Sequence, residues 1–249
     1  MDDVILYDCR WSDELDEQFI KDYLFVQTEV FNCGSRDEFR RQFEQNIYGR
    51  SVIIVVYIDK KPVAARALWR NDVCGREAYQ PGSTCVLEDC RGKGVFKEMT
   101  IRAIGMLPKD AVIYNFPNPN SYPGYIKMGW KLLHDYNVRL LTSYTNYHME
   151  HPVIMDEEYA DWWVVGRNLT YTKCFGHYFL LQKDHRPFCY RILSEVEECT
   201  AKKFRHTSLG LFFYKSETTT WYNKRFALGH VVTRNPELKY IPTWKIDAI

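Results

Sequence analysis

No run of about 18 consecutive apolar residues occurs in this sequence, so no helix able to cross a bilayer is expected. There is no Cys-x-x-Cys pair. The eight cysteines (Cys9, Cys33, Cys74, Cys85, Cys90, Cys174, Cys189, Cys199) are scattered, without histidines at zinc-site spacing, which excludes the common structural zinc modules and leaves buried, reduced thiols as the expectation. Excess charge is also missing. With 33 Lys and Arg against 32 Asp and Glu the net charge is +1, so no global field draws the chain to nucleic acid or an anionic membrane, and any basic site must be local. The opening Met-Asp-Asp-Val-Ile-Leu has no basic segment ahead of an apolar core, so the expected location is the cytoplasm.

What is abundant is aromatic side chain. Tyr, Phe and Trp make up 16% of the 249 residues, a composition that favours sheet and broad aromatic surfaces. The length suits one large domain or two modest ones.

Residues 4–7 read as a short strand. Ser12, followed by Asp13 and Glu14, is the expected cap of a helix with Leu15, Phe19, Tyr23, Val26 and Val30 as its apolar stripe. Ser35 and Glu38 have capping-box spacing ahead of Phe39, Phe43 and Ile47. A β-branched run over 51–58 is closed by Asp59-Lys-Lys-Pro62 and answered by a strand over 63–69, giving a hairpin. Residues 70–82 read as a polar connection leading to a strand over 84–87.

The stretch 84–99 is the one around which the rest of the chain is organised. Its strand passes through Arg91-Gly92-Lys93-Gly94 into a segment in which Phe96, Met99, Ala103 and Met106 recur at helical spacing up to Pro108. Glycines at a strand-to-helix junction let the backbone approach a ligand, and the first-turn N–H groups, unsatisfied within the helix, face outward at the positive end of its dipole. Arg91 and Lys93 add charge beside them. The stretch therefore reads either as an anion cradle or as an ordinary tight turn. A strand over 111–116, a loop 117–120, a helical turn over 121–128 ended by Gly129 and a strand over 130–141 complete a βααββ(β)αβαβ order.

Two patterns at this separation resemble the GNAT superfamily of acyl-CoA-dependent N-acyltransferases. Arg91-Gly92-Lys93-Gly94-Val95 is similar to the family's pyrophosphate loop, R/Q-x-x-G-x-G/A, and residues 118–131, with Asn118, Tyr125 and Gly129-Trp130, are similar to its Asn loop and the tyrosine four residues ahead of Gly-aromatic. The resemblance spans residues 3–141 by element order. It departs at Phe96, a bulky ring where the family has a small residue, and at Glu88, where many relatives have proline.

The resemblance implies an α/β (α+β) fold, a mixed twisted sheet flanked by helices, in a domain over 1–141. It implies acetyl-CoA as co-substrate and a small-molecule amine, such as an amino sugar or other metabolite, as acceptor. Cys85, Val86 and Leu87 would hold the pantetheine and thioester carbonyl, while Arg91, Gly92, Lys93, Gly94, Val95 and Phe96 would hold the pyrophosphate, with Asn118 also touching the cofactor. Tyr125 would protonate the leaving thiolate, for which a phenol of pKa near 10 is suited. The amine must lose a proton, because an alkyl amine is neutral at only about one part in a thousand at pH 7. Glu88 is the first expectation for that base, ahead of Glu77, Asp89 and His134. An acyl-CoA-binding module without activity and an aminoacyl or longer-chain acyltransferase stay open beside the N-acetyltransferase.

Residues 142–249 are expected to form a second, mainly sheet lobe. Residues 144–152 read as a polar linker, so His148 and His151 are not taken for metal ligands. Strands are expected over 162–165, 169–173, 177–182, 188–193 and 209–214. Asn223-Lys-Arg-Phe-Ala-Leu-Gly229 echoes Tyr125-Ile-Lys-Met-Gly129, which suggests a degenerate second acyltransferase-like half.

Overall fold

β-Branched runs set the first unit's sheet. In the computed structural model, which describes residues 4–217, 229–235, 237–242 and 245, two compact units are distinguished. One comprises Met1–Asn115, Pro123–Lys131 and Thr233–Asn235, the other Phe116–Tyr122, Leu132–Val232 and Pro236–Ile249.

In the first unit β1 (Ile5–Trp11) precedes α1 (Glu17–Phe31) and the short α2 (Arg36–Phe39), which continues as a π-helical turn, Arg40–Glu44. Ser12 does not cap α1. It is buried, and its hydroxyl accepts from Ser51 N at 3.0 Å while its own N–H donates to Ser51 O at 2.8 Å, tying β1 to the next strand. The cap is Asp16, whose extended backbone lets its carboxylate accept from Phe19 N at 2.8 Å. Ser35 caps α2 through Glu38 N, as its spacing predicts. On α1 the buried face is Phe19, Ile20, Tyr23, Val26 and Gln27, so a glutamine replaces Val30 in the expected stripe.

The hairpin of β2 (Val52–Ile58) and β3 (Lys61–Arg70) is the centre of the core, with Val52 to Val56 fully buried because helices cover both faces. Next comes β4 (Ala78–Val86). It is longer than expected and absorbs the last part, 78–82, of the supposed connection. Pro81 and Gly82 punctuate the sequence like a turn, yet the β3–β4 register shifts between Ala65 and Ala67 and Ser83 takes φ +49°, so a bulge accommodates them within the strand. The strand then leads through a 3₁₀ turn, Glu88–Cys90, to α3 (Val95–Gly105) and β5 (Val112–Asn115). Strand order is β1-β2-β3-β4-β5, antiparallel except for the parallel β4/β5 pair. After it α4 (Tyr122–Lys127) ends at Gly129, whose φ of +83° is the left-handed conformation a helix stop favours.

The second unit is sheet-rich: β6 (Lys131–Leu140), α5 (Tyr144–Glu150), β7 (Thr170–Cys174), β8 (His177–Lys183), β9 (Cys189–Val196), β10 (Arg205–His206), β11 (Leu211–Ser216) and β12 (Gly229–Thr233). Its order is β12-β6-β11-β9-β8-β7-β10. Two expectations are corrected. The supposed linker is α5, capped by Ser143, and Tyr147 on it packs into a core of Phe179, Leu181, Ile192 and Tyr214. The supposed strand at 162–165 is a π-helical turn, Ala160–Val164, continuing the helical turn Glu157–Tyr159. Its buried residues Tyr159, Ala160, Trp163 and Val164 recur at helical rather than alternating spacing. The echo at 223–229 lies, except for Gly229, outside the described residues.

Burial separates two leucines by their expected cost. Leu68, fully buried on β3, should cost about 2–5 kcal/mol when replaced by Ala, whereas Leu6→Ala, at a position 56% exposed, should stay within about 0.5 kcal/mol. Urea unfolding of the two variants checks this contrast.

Candidate functional site

Strand β4 is nine residues long, but it pairs with β5 only at Ala78↔Val112 and Tyr79↔Ile113. Beyond Tyr79 the two strands part. Ser83 lies further along at a bulge against β3, and the chain between Gln80 and Val86 keeps its ladder to β3 alone. A parallel pair that opens at its end presents unpaired backbone groups along the cleft, and those groups can hold an extended ligand. Cys85, Val86 and Leu87 lie on this length. Cys85 is buried and its thiol is pushed up to about 12, chiefly by burial, so it is a packed thiol and not a nucleophile. Arg91 reaches back to donate from Nε to Val86 O at 3.1 Å.

At the end of β4 the cradle has the geometry its glycines predict. Gly92 and Gly94 adopt φ of +77° and +79°, and a Cβ on either would meet no atom within 4 Å, so glycine is required by the backbone and the space above it is open. Gly94 is the N-cap of α3 and has no side chain to cap with, while the first bond of the helix runs from Glu98 N to Gly94 O at 3.1 Å. The N–H groups of Val95, Phe96 and Lys97 therefore have no acceptor within the helix, and Arg91 and Lys93 stand exposed beside them. Uncapped N–H groups beside two cations have the chemistry an anion requires.

Phe96 does not project into the cradle. Its ring lies 3.1 Å from where a Cβ on Gly124 would be and meets the Tyr125 ring edge-on at 5.7 Å, so it fills space against α4. Tyr125 is buried, with Trp130 against it at 4.8 Å. Its hydroxyl oxygen accepts from Arg66 Nη2, and Arg66 Nη1 donates to Thr100 Oγ1, which in turn donates to Phe96 O. Burial pushes the Tyr125 phenol up, opposed by the Arg66 charge and by hydrogen bonds from Arg66 and Asn115. Arg66 is not among the residues expected from sequence, although a lone cation in the apolar run Val63-Ala-Ala-Arg66-Ala-Leu-Trp69 is a visible signal.

The candidate bases disperse. Glu88 and Asp89 are exposed in the 3₁₀ turn. Glu77 accepts from Tyr79 Oη at 2.7 Å and lies 3.7 Å from Arg70, at the start of β4 and away from the cradle. His134 belongs to the second unit, 3.1 Å from Glu217; burial brings it down to about 4 and lifts Glu217 to about 7, the latter helped by Glu150. Asn118 is also in the second unit. Its Oδ1 accepts from Asn120 N at 3.1 Å and Ser121 N at 2.9 Å, an Asx-type turn.

One pocket has no signature in the sequence. Between the C-terminal end of α1, α2 and Ser83 lies a small open pocket of about 80 Å³; Tyr23, Phe39 and Phe43 are among its walls, and Gln27, Glu38 and Gln42 are among its polar groups. Gln27 spans from pocket to cleft, donating from Nε2 to Ser83 O at 2.6 Å and to Cys85 Sγ at 3.1 Å. Glu38 was legible only as half of a capping box. Among the described residues no cluster of His, Cys, Asp and Glu could hold a metal, and no helix is long and apolar enough to cross a membrane.

No family model and no curated protein matches this chain. Solved structures do. A conserved Enterococcus faecalis protein of unknown function, described as a probable N-acyltransferase, aligns over 94% of this chain and 74% of its own at 14% identity and TM-score 0.55. A candidate acetyltransferase from Pyrococcus horikoshii aligns over 96% and 92% at 10% identity and TM-score 0.52. A GCN5-related N-acetyltransferase from Kribbella flavida aligns over 91% and 72% at 13% identity and TM-score 0.52. The chain has the GNAT N-acyltransferase fold.

Gly94→Ala should cost about 1 kcal/mol of stability through the left-handed backbone, measured by thermal melts. Native alkylation should modify the exposed Cys33, Cys74 and Cys199 first, with Cys85 and Cys9, both raised to about 12 by burial, labelled only on unfolding. Mass spectrometry of the labelled peptides reads this directly.

Proposed function

We propose that the protein is an acyl-CoA-dependent N-acyltransferase that moves an acetyl group from acetyl-CoA to the amine of a small acceptor. The observation that carries the reading is the opening of β4 from β5 directly ahead of an uncapped, glycine-lined helix N-terminus, because an extended pantetheine and a pyrophosphate need those two surfaces in that order. Cys85, Val86 and Leu87 line the cleft with backbone groups. The cradle from Arg91 to Phe96 takes the pyrophosphate. The pocket beside Ser83 receives the acceptor, since Gln27 links its wall to the strand that would hold the thioester. Aromatic walls with one carboxylate, Glu38, suit a compact amine carrying apolar surface.

The chemistry is direct attack of the neutral amine on the thioester carbonyl. Backbone N–H groups of β4 stabilise the oxyanion, and Tyr125 gives its proton to the departing thiolate. Glu88 stays the proposed base by its place beside the cradle. Its exposure fits proton relay through water. The burial of Tyr125 under Phe96 and Trp130 favours a second reading, an acyl-CoA-binding module without turnover.

We read the second unit as a degenerate repeat of the first. In each, a helical turn capped by Ser35 or Asp156 runs into a π-helical turn (Arg40–Glu44, Ala160–Val164), then into three antiparallel strands and a crossover to a parallel fourth. In the second unit the crossover helix is the single turn Glu198–Ala201, preceded by Glu197 and not by glycine, which accords with a lost phosphate site.

With acetyl-CoA and a panel of small primary amines, thiol release should be detectable, and Tyr125→Phe should lower turnover by about one to two orders of magnitude without weakening CoA binding. Acetyl-CoA at about 100 times its Kd should stabilise the fold by about 2.7 kcal/mol, seen as a raised Tm. Stabilisation without thiol release across the panel would select the binding module; neither effect would remove both readings.

A further inference from the structure

Arg66 is fully buried, yet among the described residues no carboxylate pairs with it. Its partners are all neutral: Thr100 Oγ1 at Nη1, the Tyr125 hydroxyl at Nη2, and the faces of Phe96 and Tyr125 at 5.0 and 5.4 Å from its central carbon. Its Nε, also buried, has no partner there. A guanidinium keeps its charge at any physiological pH, and taking one out of water without a counter-anion costs several kcal/mol. Packing alone would favour Met or Leu at this position, so the charge has another use.

Hydrogen-bond direction indicates that use. A guanidinium only donates, so in its bond with Tyr125 the phenol oxygen must be the acceptor and the phenol's own hydrogen is free to point elsewhere. Asn115 stands at the end of β5, and its effect on the phenol, like that of Arg66, is to favour the anion. Among the described residues the charge acting on the Tyr125 phenol is that of Arg66, while α3 contributes Thr100 and Phe96 around the pair and the segment after α4 contributes Trp130. The Tyr125 oxygen thus accepts from a buried cation. Such an oxygen is better prepared to be a phenolate than a phenol exposed to apolar groups alone.

We propose that Arg66 is a positioning residue for acyl transfer: it fixes the Tyr125 hydroxyl with its hydrogen turned outward and stabilises the phenolate formed when that hydrogen is given up. This rests on the acyltransferase reading for its place in the reaction, but not for its effect on Tyr125. In the transfer step the O–H bond of Tyr125 breaks as the S–H bond of free CoA forms, and the negative charge moves from sulfur to the phenol oxygen beside Arg66. The phenolate then regains a proton, by way of solvent, from the one the amine nitrogen loses on becoming an amide, so the cycle closes without any further reactant.

The test begins with the free protein. Tyrosines labelled with 13C at Cζ are titrated by NMR, with Tyr125→Phe identifying the Tyr125 signal, in wild type, Arg66→Lys and Arg66→Met. The Tyr125 signal should titrate at least one pH unit higher in Arg66→Met, and Arg66→Lys should lie between the two. Equal midpoints in wild type and in whichever folded Arg66 variants are obtained, or no titration of wild-type Tyr125 below pH 12, would overturn the inference. In turnover, Arg66→Met should lower kcat about tenfold or more while KM for acetyl-CoA stays within twofold. Added to Tyr125→Phe it should cost less than a further twofold, because the two residues act on one proton. Full additivity would overturn it as well. If wild type shows no turnover, the acyltransferase reading fails while the titration still decides what Arg66 does to Tyr125.

Discussion

The separation of β4 from β5 is a matter of hydrogen bonds left unmade, and the rest of the site depends on where they are left unmade. A buried parallel pair would ordinarily continue its ladder, since each unpaired backbone group away from water costs about as much as a lost hydrogen bond. Here the ladder stops after Ala78 and Tyr79. The bulge at Ser83 is accommodated while β4 stays bound to β3, so the cost of the unmade bonds is confined to one strand edge. Gln27 reinforces the bulge by donating to Ser83 O from the facing helix. An edge held open in this way is rigid on one side and unsatisfied on the other, which is what distinguishes a binding cleft from a frayed strand.

The same strand delivers its chain to the helix whose first N–H groups are uncapped. Cleft and cradle are therefore one continuous surface of backbone donors and acceptors, and side chains contribute mainly charge and shape around it. This explains why Phe96 can be a large residue. Its backbone serves the cradle while its ring turns away onto Gly124 and Tyr125, so its bulk tightens the packing of α4 against α3 and leaves the anion site open. The Arg66–Tyr125 contact lies behind that packing, excluded from water, where a single charge acts most strongly.

How much of this could be read in advance varied with the range of the interaction concerned. Signals local in sequence were legible: the β-branched hairpin, the Ser35 cap, the glycines at 92 and 94, and the stop at Gly129 all depend on a few neighbouring residues. The start of α1 was misplaced because Ser12 and Asp16 are both good caps, and only the pairing of Ser12 with Ser51, 39 residues away, removes the first. Strand β4 was shortened because Pro81 and Gly82 are turn residues by propensity, and a bulge is a tertiary solution that propensity does not record. The pocket and the Arg66 network join residues from several elements distant in sequence. Arg66 stood out as a charge in an apolar strand, but which hydroxyl would meet it depended on the path of α4.

The two crossovers differ in what each unit offers an anion. Both units join three antiparallel strands to a parallel fourth, and such a connection needs chain to pass over the sheet. In the first unit the crossover carries an 11-residue helix, long enough for its terminal N–H groups to act together as a positive end, and the glycines before it expose them. In the second it carries four residues, Glu198–Ala201, too few to build that field, with acidic residues at the end where an anion would have to approach. A scaffold that keeps its strand order while losing crossover helix and glycines retains stability but not phosphate affinity, because the sheet is held by its ladders and core, whereas the cradle is held only by the length and start of that one helix.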